Sequence, residues 1–216
     1  MEPLSSLLQD KSYPEQILYD RGYLHVAGVD EVGRGPLAGP VVASAVILPR
    51  DFFHPDIKDS KTLTESKRKE LYSVINENAL SWNWGLVDHD EIDRINILRA
   101  TLAAMKKAVE ALCIKPDYII VDGTHSFSAE APQTTIKKGD TKSLSIAAAS
   151  IMAKVTRDLI MKKYHCLYPQ YNFEKNKGYG TAEHLKALID YACCPVHRRS
   201  FNRVIEHRIP VLSSKG

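Results

Sequence analysis

The chain has 216 residues, enough for one full α/β core with a small appendage, and 44% of them are hydrophobic while 25% are charged. This composition excludes a disordered or fibrous protein, and no apolar run approaches the ~20 residues that a membrane-spanning helix needs. The net charge of +3 permits a polyanionic partner without requiring one.

The cysteines and the N-terminus bear on the compartment. Cys193 and Cys194, with His197 nearby, could form one corner of a metal site, but no second pair completes a tetrahedral set. Buried thiols in a reducing cytosol account better for the four cysteines. The first ten residues lack a cationic start and a continuous apolar stretch. We therefore expect no signal peptide, no membrane association and a cytoplasmic location.

In the first half of the chain, short apolar segments alternate with one helical segment. Residues 1–22 form a polar, partly helical lead-in. Thr62 followed by Glu65 resembles a capping box that would open a helix. The strands predicted here are HVAGVDEV, PVVASAVILP and SWNWGLV, and the helix is TLTESKRKELYSVINENAL.

In the second half, helix-type periodicity is strongest in HDEIDRINILRATLAAMKKAVEAL, where apolar residues recur three or four apart. DYIIVDG is an almost wholly apolar strand that ends in Asp122, which is typical of a central strand covered on both faces. QTTIKKGD predicts a short strand ending at Asp140. SLSIAAASIMAKVTRDLIMKKY predicts a helix, and a terminal helical region extends to about Ile205.

The order β-β-α-β-α-β-β-α predicts a mixed α/β sheet with a C-terminal helical appendage. We divide the chain into a lead-in (1–22), a core (23–165) and a C-terminal helical region (166–216). Basic residues crowd the second half, in IKKGDTK, MKKYH, EKNKGYG and VHRRSFNRVIEHR, which predicts a local basic face.

Four acids lie at the carboxyl end of a predicted strand or just beyond it: Asp30, Glu31, Asp122 and Asp140. Open α/β sheets bind ligands at that edge. Crowded carboxylates repel each other unless a hard cation neutralises them, and ligand sets of oxygen alone suit Mg²⁺ or Mn²⁺. Two such ions ~4 Å apart can activate a water and stabilise the leaving oxygen of a phosphodiester.

The alternative is that these acids only begin turns, and for Asp122 alone that explanation is the better one. The site is favoured because three separate segments share the same placement beside the glycine-rich turn Gly33-Arg34-Gly35. Bare backbone lets a ligand approach main-chain groups there, and Arg34 can contact phosphate. A purely structural turn remains the alternative for this segment, and it is not a P-loop.

The chain contains the segments GVDEVGRGPLAGPVVASAVIL, DSKTL, IDRINILRA, VDG, KGDTKSLSIAAASIMAKVTRD, GYGTAEH and HRRSF. In order and spacing, from about residue 25 to residue 203, they resemble the bacterial ribonuclease HII family. This resemblance implies that residues 23–165 form the catalytic core and that residues 166–216 contribute to substrate binding. The resemblance implies a ribonuclease H-like fold with a mixed five-stranded sheet flanked by helices. It also implies endonucleolytic cleavage of the RNA strand in RNA–DNA hybrids and incision at single ribonucleotides in duplex DNA.

By the same resemblance, Asp30 and Glu31 match the family's paired metal ligands, Asp122 matches the VDG ligand and Asp140 matches the acid of KGD. Asp158 could support the site from a helix. An Asp that follows Arg on a helix is more often part of a surface ion pair, so we leave Asp158 out of the metal set.

The resemblance also implies a substrate-binding set. Gly33, Arg34 and Gly35 match the loop that reads a ribose 2′-hydroxyl through backbone groups, and Tyr179 matches the tyrosine that contacts it and stacks on the following sugar. The 2′-hydroxyl is the group that distinguishes RNA from DNA. Without the resemblance, Tyr179 would be interpreted as a surface tyrosine. Candidates for phosphate contacts are Lys61, Lys142, Ser143, Arg198 and Arg199.

Two positions depart from the family pattern: Thr124 stands where Asn is expected, and Thr62 where Lys is usual.

We predict a monomeric endoribonuclease that uses Mg²⁺ or Mn²⁺, with two ions in the substrate complex. It would cut on the 5′ side of a ribonucleotide and leave a 5′-phosphate and a 3′-hydroxyl. Contact of the C-terminal segment with a sliding clamp stays open.

Two other functions are weighed against this one. A non-catalytic nucleic-acid-binding module of the same fold would be expected to lack at least one acid, and all four are present. A small-molecule phosphohydrolase would act on monoesters and would not need the basic second half.

Overall fold

The computed structural model describes residues 13–57, 60 and 63–205. Lys61 and Thr62 lie outside the described residues, as do residues 1–12 of the predicted lead-in and 206–216 of the predicted C-terminal region.

A five-stranded mixed sheet forms the centre of the protein, in the order β3-β2-β1-β4-β5. Strands β1, β2 and β3 are antiparallel neighbours, whereas β4 and β5 run parallel to β1. Because β1 and β4 are parallel, with Val29 opposite Val121, their carboxyl ends meet at one edge of the sheet. The strands are β1 (Val26–Val32), β2 (Val41–Ile47), β3 (Ser81–Val87), β4 (Tyr118–Asp122) and β5 (Gln133–Ile136).

Helices cover both faces of this sheet, which confirms the predicted α/β architecture. None of the helices in the described part of the chain is both long and apolar enough to cross a membrane. The helices are α1 (Pro14–Asp20), α2 (Glu65–Asn78), α3 (His89–Ile95), α4 (Ile97–Glu110), α5 (Leu144–Leu167), α6 (Phe173–Asn176), α7 (Ala182–Tyr191) and α8 (Asn202–Ile205); 3-10 turns span Gly139–Thr141 and Pro169–Tyr171.

The alternation of side chains along β2 explains the two layers. Ala43 and Ala45 face a core that includes Ala100 and Ala104 of α4. Val46, the next residue along the strand, faces the opposite side with the alanines of α5 and Leu71 of α2. Successive residues of a strand point to opposite faces, so β2, buried throughout, serves both cores.

Helix α5 approaches β1 unusually closely. A Cβ added to Gly28 would lie only 2.2 Å from the backbone carbonyl carbon of Ser145. Glycine is therefore required at this point of β1, because no side chain fits between strand and helix. The contact holds the start of α5 against the strand that carries Asp30 and Glu31.

Three boundary predictions were wrong. The long helix predicted over residues 89–112 is two helices, because Asn96 has φ +71° and caps α4 through a bond from Arg99 N–H. Helix α2 is capped by Thr64, whose hydroxyl accepts from Lys67 N–H, rather than by Thr62. Strand β5 ends at Ile136, so Asp140 lies in a 3-10 turn and not at the end of a strand.

The C-terminal elements pack around a second core against the loop that follows β1. This core joins Leu37 of the loop and Met161 of α5 to Tyr171, Phe173 and Leu188. Helix α5 itself extends to Leu167 and so passes through the predicted boundary at residue 165. The division into core and appendage stays a prediction.

Candidate active site

Three of the predicted acids lie together at the edge where β1 and β4 end. Asp30 is 4% exposed, and its carboxylate accepts from the Glu31 N–H at 2.7 Å. Burial raises the pKa of Asp30 well above its ordinary value, and the nearby charges of Glu31 and Asp122 raise it further. The pKa of Glu31 is also raised, chiefly by burial. These three carboxylates therefore repel one another.

Arg34 and Asp122 have opposite effects on the pKa of Glu31. The Arg34 guanidinium lies 3.4 Å from a Glu31 carboxylate oxygen and lowers the pKa of Glu31, whereas Asp122 raises it. The Arg34 side chain is about half exposed, so water screens this ion pair. One surface arginine offsets only part of the repulsion among three acids.

Asp140 is tied to this edge through the backbone. The Gly139 N–H donates to Asp122 Oδ1 at 2.6 Å, and Asp140 follows directly in the 3-10 turn, where it is 6% exposed. Lys138 precedes the turn in the left-handed conformation, with φ +55°. The hydrogen bond thus places the fourth predicted acid one residue from a direct partner of Asp122.

The donor set fits a hard divalent cation. All four predicted ligands are carboxylates, the oxygen donors that Mg²⁺ and Mn²⁺ take, and a cation would relieve the repulsion that raises the pKa of Asp30. Within residues 13–57, 60 and 63–205, no three Asp, Glu, His or Cys side chains already form a closed metal cage. Closure around a cation requires rearrangement of these side chains.

Two buried serines that were not predicted from the sequence support Asp30. The Ser150 hydroxyl of α5 donates to the Asp30 carboxylate, and the Ser60 hydroxyl lies 2.8 Å from that of Ser150. Arg68 in turn donates to the Ser60 carbonyl at 2.9 Å. The segment DSKTL is the available sequence signal, since Ser60 links that loop to the site.

Arg198, predicted to contact phosphate, is instead fully buried. Its guanidinium donates to the carbonyls of Gly33 (2.6 Å), Arg34 (3.0 Å) and Gly39 (2.9 Å). Burial lowers its pKa to about 9, with neighbouring Arg157 as a second cause. The prediction was wrong because the Arg198 guanidinium is buried beneath the loop after β1, where its N–H groups bind carbonyls and cannot reach a duplex.

Tyr179 lies beside the Gly33-Arg34-Gly35 turn. Its side chain is 43% exposed, and a Cβ added to Gly35 would lie 3.7 Å from its ring. The segment around Tyr179 is joined to the loop after β1 by a bond from Leu37 N–H to the Gly178 carbonyl at 2.8 Å. The structure thus brings together two predicted substrate-binding elements that are more than 140 residues apart in the sequence.

The other predicted contact residues divide into exposed and buried groups. Ser143 is 2% exposed, donates to Glu15 at 2.6 Å and accepts from Ile146 N–H as the cap of α5, so its assignment to phosphate binding was wrong. Lys142 and Arg199 are exposed, and the Arg199 backbone is held by Asp93. Lys61 lies outside the described residues.

Asp158 is engaged in an ion pair on α5. It forms a largely buried ion pair with Lys154, one turn earlier on α5, at 2.6 Å. This is the ion pair that the sequence analysis expected on the helix, although it is less exposed than a surface pair.

Comparison with known proteins identifies the family. Residues 27–204 match the family model described as Ribonuclease HII. The ribonuclease HII of Syntrophus aciditrophicus is 57% identical over 187 residues, which cover 87% of this chain and 88% of that protein. The ribonuclease HII of Caldanaerobacter subterraneus subsp. tengcongensis is 55% identical over 194 residues, 90% of this chain and 80% of that protein.

Solved structures share the fold. Ribonuclease H2 from Pyrococcus horikoshii OT3 superposes with a TM-score of 0.75 at 29% identity, covering 85% of this chain and 97% of that one. The Archaeoglobus fulgidus RNase HII solved with PCNA gives 0.68 at 22% identity, over 81% of this chain and 94% of its own. Bst-RNase HIII solved with Mn²⁺ gives 0.68 at 19% identity, over 85% and 69%.

The last two likenesses are evidence of fold alone. The family model and the close relatives, however, span most of the chain, including the acidic edge, the loop after β1 and Tyr179. The chain therefore belongs to the ribonuclease HII family and is a ribonuclease H-type endonuclease.

Proposed function

We propose that this protein hydrolyses the RNA strand of RNA–DNA hybrids and cuts duplex DNA on the 5′ side of an embedded ribonucleotide, leaving a 5′-phosphate and a 3′-hydroxyl. The observation that carries the proposal is the adjacency of three mutually repelling carboxylates, Asp30, Glu31 and Asp122, to an exposed tyrosine and a bare glycine turn. The three carboxylates need a cation to offset their repulsion. The tyrosine and the glycine turn form a surface that a sugar can contact.

Asp30, Glu31, Asp122 and Asp140 would hold the cations, with two ions in the substrate complex. Mg²⁺ or Mn²⁺ in such a site supplies a reactive water and stabilises the charge on the leaving oxygen. Mn²⁺ is present in the Bst-RNase HIII structure of the same fold. The chain's own contribution is to orient the carboxylates, with Ser150 donating to Asp30 and Gly139 N–H to Asp122. No side chain is required as a nucleophile.

Substrate recognition would use the surface between the loop after β1 and Tyr179. Gly33, Arg34 and Gly35 would read the ribose 2′-hydroxyl through backbone groups, and Tyr179 would contact it and stack on the next sugar. Exposed aromatic rings are suited to stacking, and the 2′-hydroxyl is the feature absent from DNA. Lys142, Arg199 and Lys61 would contact phosphates, which sets the position of a duplex without reading its sequence.

We place this activity in the cytoplasm, in DNA replication and repair, and expect the protein to act as a monomer. No disulfide joins the four cysteines, which is in keeping with a reducing compartment. The archaeal relative solved with PCNA supports a contact with a sliding clamp, which we assign to the C-terminal segment.

The test uses a duplex that carries one ribonucleotide, incubated with Mg²⁺ or Mn²⁺, and maps the cleaved bond and its end groups. We expect a single cut on the 5′ side. Asp30→Asn, which keeps the shape and removes one charge, should abolish cleavage while duplex binding persists. Near-normal turnover by this variant would refute the metal-site assignment. Binding without cleavage by the unaltered protein at any cation concentration would support the non-catalytic alternative.

A further inference from the structure

Two fully buried histidines lie beneath Tyr179 and have no role in the proposed chemistry. His184, in the first turn of α7, and His197, which precedes Arg198, are both 0% exposed, and their Nε2 atoms lie 3.0 Å apart. The Tyr171 ring packs 4.8 Å from the His197 ring, and the Phe173 ring 5.4 Å from that of His184. Aromatic packing on this scale fixes both imidazoles in place.

While both rings are neutral, the hydrogen bonds of the pair run in one direction. The Cys194 backbone N–H, which can only donate, lies 3.0 Å from His197 Nδ1. The Cys194 carbonyl, which can only accept, lies 3.2 Å from the same nitrogen, so the direction is set at the other end of the pair. The Tyr179 carbonyl can only accept, and it lies 2.9 Å from His184 Nδ1, which therefore carries the proton of His184. His184 Nε2 must then accept from His197 Nε2, which leaves His197 Nδ1 as the acceptor of the Cys194 N–H.

Both rings must be neutral for this arrangement. A proton added to His184 would place two N–H groups against each other across the 3.0 Å between the Nε2 atoms, and a proton added to His197 would go to Nδ1, which lies 3.0 Å from the Cys194 N–H. Burial lowers the pKa of His184, and burial together with the neighbouring ring lowers the pKa of His197 to about 4. The pair is therefore neutral near pH 7.

The Tyr179 carbonyl, which accepts the hydrogen bond from His184, helps to fix the position of Tyr179. It also accepts from Thr181 N–H at 2.8 Å, and the Tyr179 N–H donates to the Asn176 carbonyl at 2.9 Å. Because nearly half of the Tyr179 side chain is exposed, packing restrains the ring only in part. Its position depends mainly on the hydrogen bonds of its main chain. In the described part of the chain, the His184 ring is the only side chain that takes part in these bonds.

We propose that His184 and His197 are positioning residues for ribose recognition, acting through a one-way hydrogen-bond chain from Cys194 N–H to the Tyr179 carbonyl. The proposal rests on the proposed function, in which Tyr179 contacts the ribose. Loss of these hydrogen bonds would let the Tyr179 segment move relative to the glycine turn that would bind the same sugar.

The hydrogen-bond chain can be tested without substrate, by ¹⁵N NMR of the imidazoles in the full-length protein at pH 7. We expect opposite tautomers: His197 protonated on Nε2 and His184 protonated on Nδ1. Identical tautomers or a charged ring would overturn the proposal. In His184→Leu we also expect amide hydrogens of residues 178–181 to exchange roughly tenfold faster, since a bond to this turn is lost. Unchanged exchange would refute the link to Tyr179.

Kinetic measurements then test whether the hydrogen-bond chain acts through Tyr179. His184→Leu should lower kcat/KM on a duplex with one ribonucleotide by roughly tenfold. His184→Asn, whose amide can donate near the position of Nδ1, should recover part of the loss. Lys186→Ala is the matched control, because it removes only the exposed ion pair to Asp190 on the same helix.

A double-mutant cycle separates positioning from general stability. In a Tyr179→Ala background, His184→Leu should cause little further loss, because the residue through which it acts is gone. Losses that multiply in the double variant would mean that the pair serves the fold alone. If the unaltered protein cleaves no ribonucleotide-containing duplex, the proposed function fails, while the NMR and exchange results still decide the proposal about the chain.

Discussion

Gly33 and the side chain of Arg157 fill the same small space, since a Cβ added to Gly33 would lie 2.3 Å from Arg157 Nε. Arg157 is fully buried and cannot move aside easily. Its guanidinium donates to the carbonyls of Pro40 (3.0 Å), Ala38 (3.2 Å) and Lys177 (2.9 Å). One buried arginine thereby joins the loop after β1 to the segment that leads into Tyr179.

Gly33→Ala should therefore damage both stability and activity. Gly33 has φ +94°, where a side chain is strained, and the added methyl would also displace Arg157. We expect a loss of about 2 kcal/mol in the free energy of unfolding and at least a tenfold loss of cleavage, measured by denaturant unfolding and single-ribonucleotide assays.

Gly35→Ala provides the contrast, because its Cβ would make only an ordinary 3.7 Å contact with the Tyr179 ring. It should unfold like the unaltered protein, and any loss should appear in substrate affinity. Equal destabilisation by both changes would contradict the role given to Arg157.

Arg198 and Arg199 are neighbours in sequence with opposite expected phenotypes. Arg198→Ala removes three hydrogen bonds from a charged donor, two of them buried, and leaves the carbonyls of Gly33, Arg34 and Gly39 without that donor, so we expect destabilisation of about 3 kcal/mol or more. Arg199→Ala should leave the thermal midpoint nearly unchanged and weaken duplex binding, with a smaller slope of log affinity against log salt. Thermal melts and salt-dependent binding distinguish them.

Much of the acidic edge was predictable because strand ends leave a sequence signal. The apolar runs before Asp30 and Asp122 predicted strands, and parallel strands bring their carboxyl ends together. The role of Arg198 was not predictable, since its partners are backbone carbonyls, which any residue supplies. His197 suggested a metal corner with the adjacent cysteines, and its Nδ1 does face Cys194, but its Nε2 contacts His184, thirteen residues away and on another element.

Asp140 and Asp158 should respond differently to the same isosteric change. Asp140→Asn should reduce cleavage by at least a hundredfold if Asp140 binds a cation, with little change in folding. Asp158→Asn should leave cleavage within a few-fold and cost about 3 kcal/mol of stability, since it leaves Lys154 without the opposite charge of a largely buried ion pair. Loss of cleavage in Asp158→Asn alone would move the fourth ligand from the 3-10 turn to helix α5.

Without divalent cations, Asp30→Asn should stabilise the protein. Burial and the charges of Glu31 and Asp122 raise the pKa of Asp30, which means that its charged form is disfavoured in the folded state. Removal of that charge should raise the thermal midpoint by a few degrees in EDTA. The unaltered protein should gain more from added Mn²⁺ than the variant does. A lower midpoint for Asp30→Asn in EDTA would indicate that the carboxylates do not repel.

Acid should destabilise the protein through His197. Its pKa is about 4 when folded against an ordinary value of 6.5, so the unfolded chain binds this proton first as the pH falls. Well above pH 6.5 the ring is neutral in both states and contributes no pH dependence. Between pH 6.5 and pH 4 the difference grows to about 3 kcal/mol in favour of unfolding. His197→Asn keeps an acceptor for Cys194 N–H and cannot titrate, so its unfolding free energy should fall less steeply across this range. Parallel curves for the two proteins, from denaturant unfolding at half-unit steps of pH, would show that His197 takes up its proton equally well in both states, and the buried neutral pair would then be wrong.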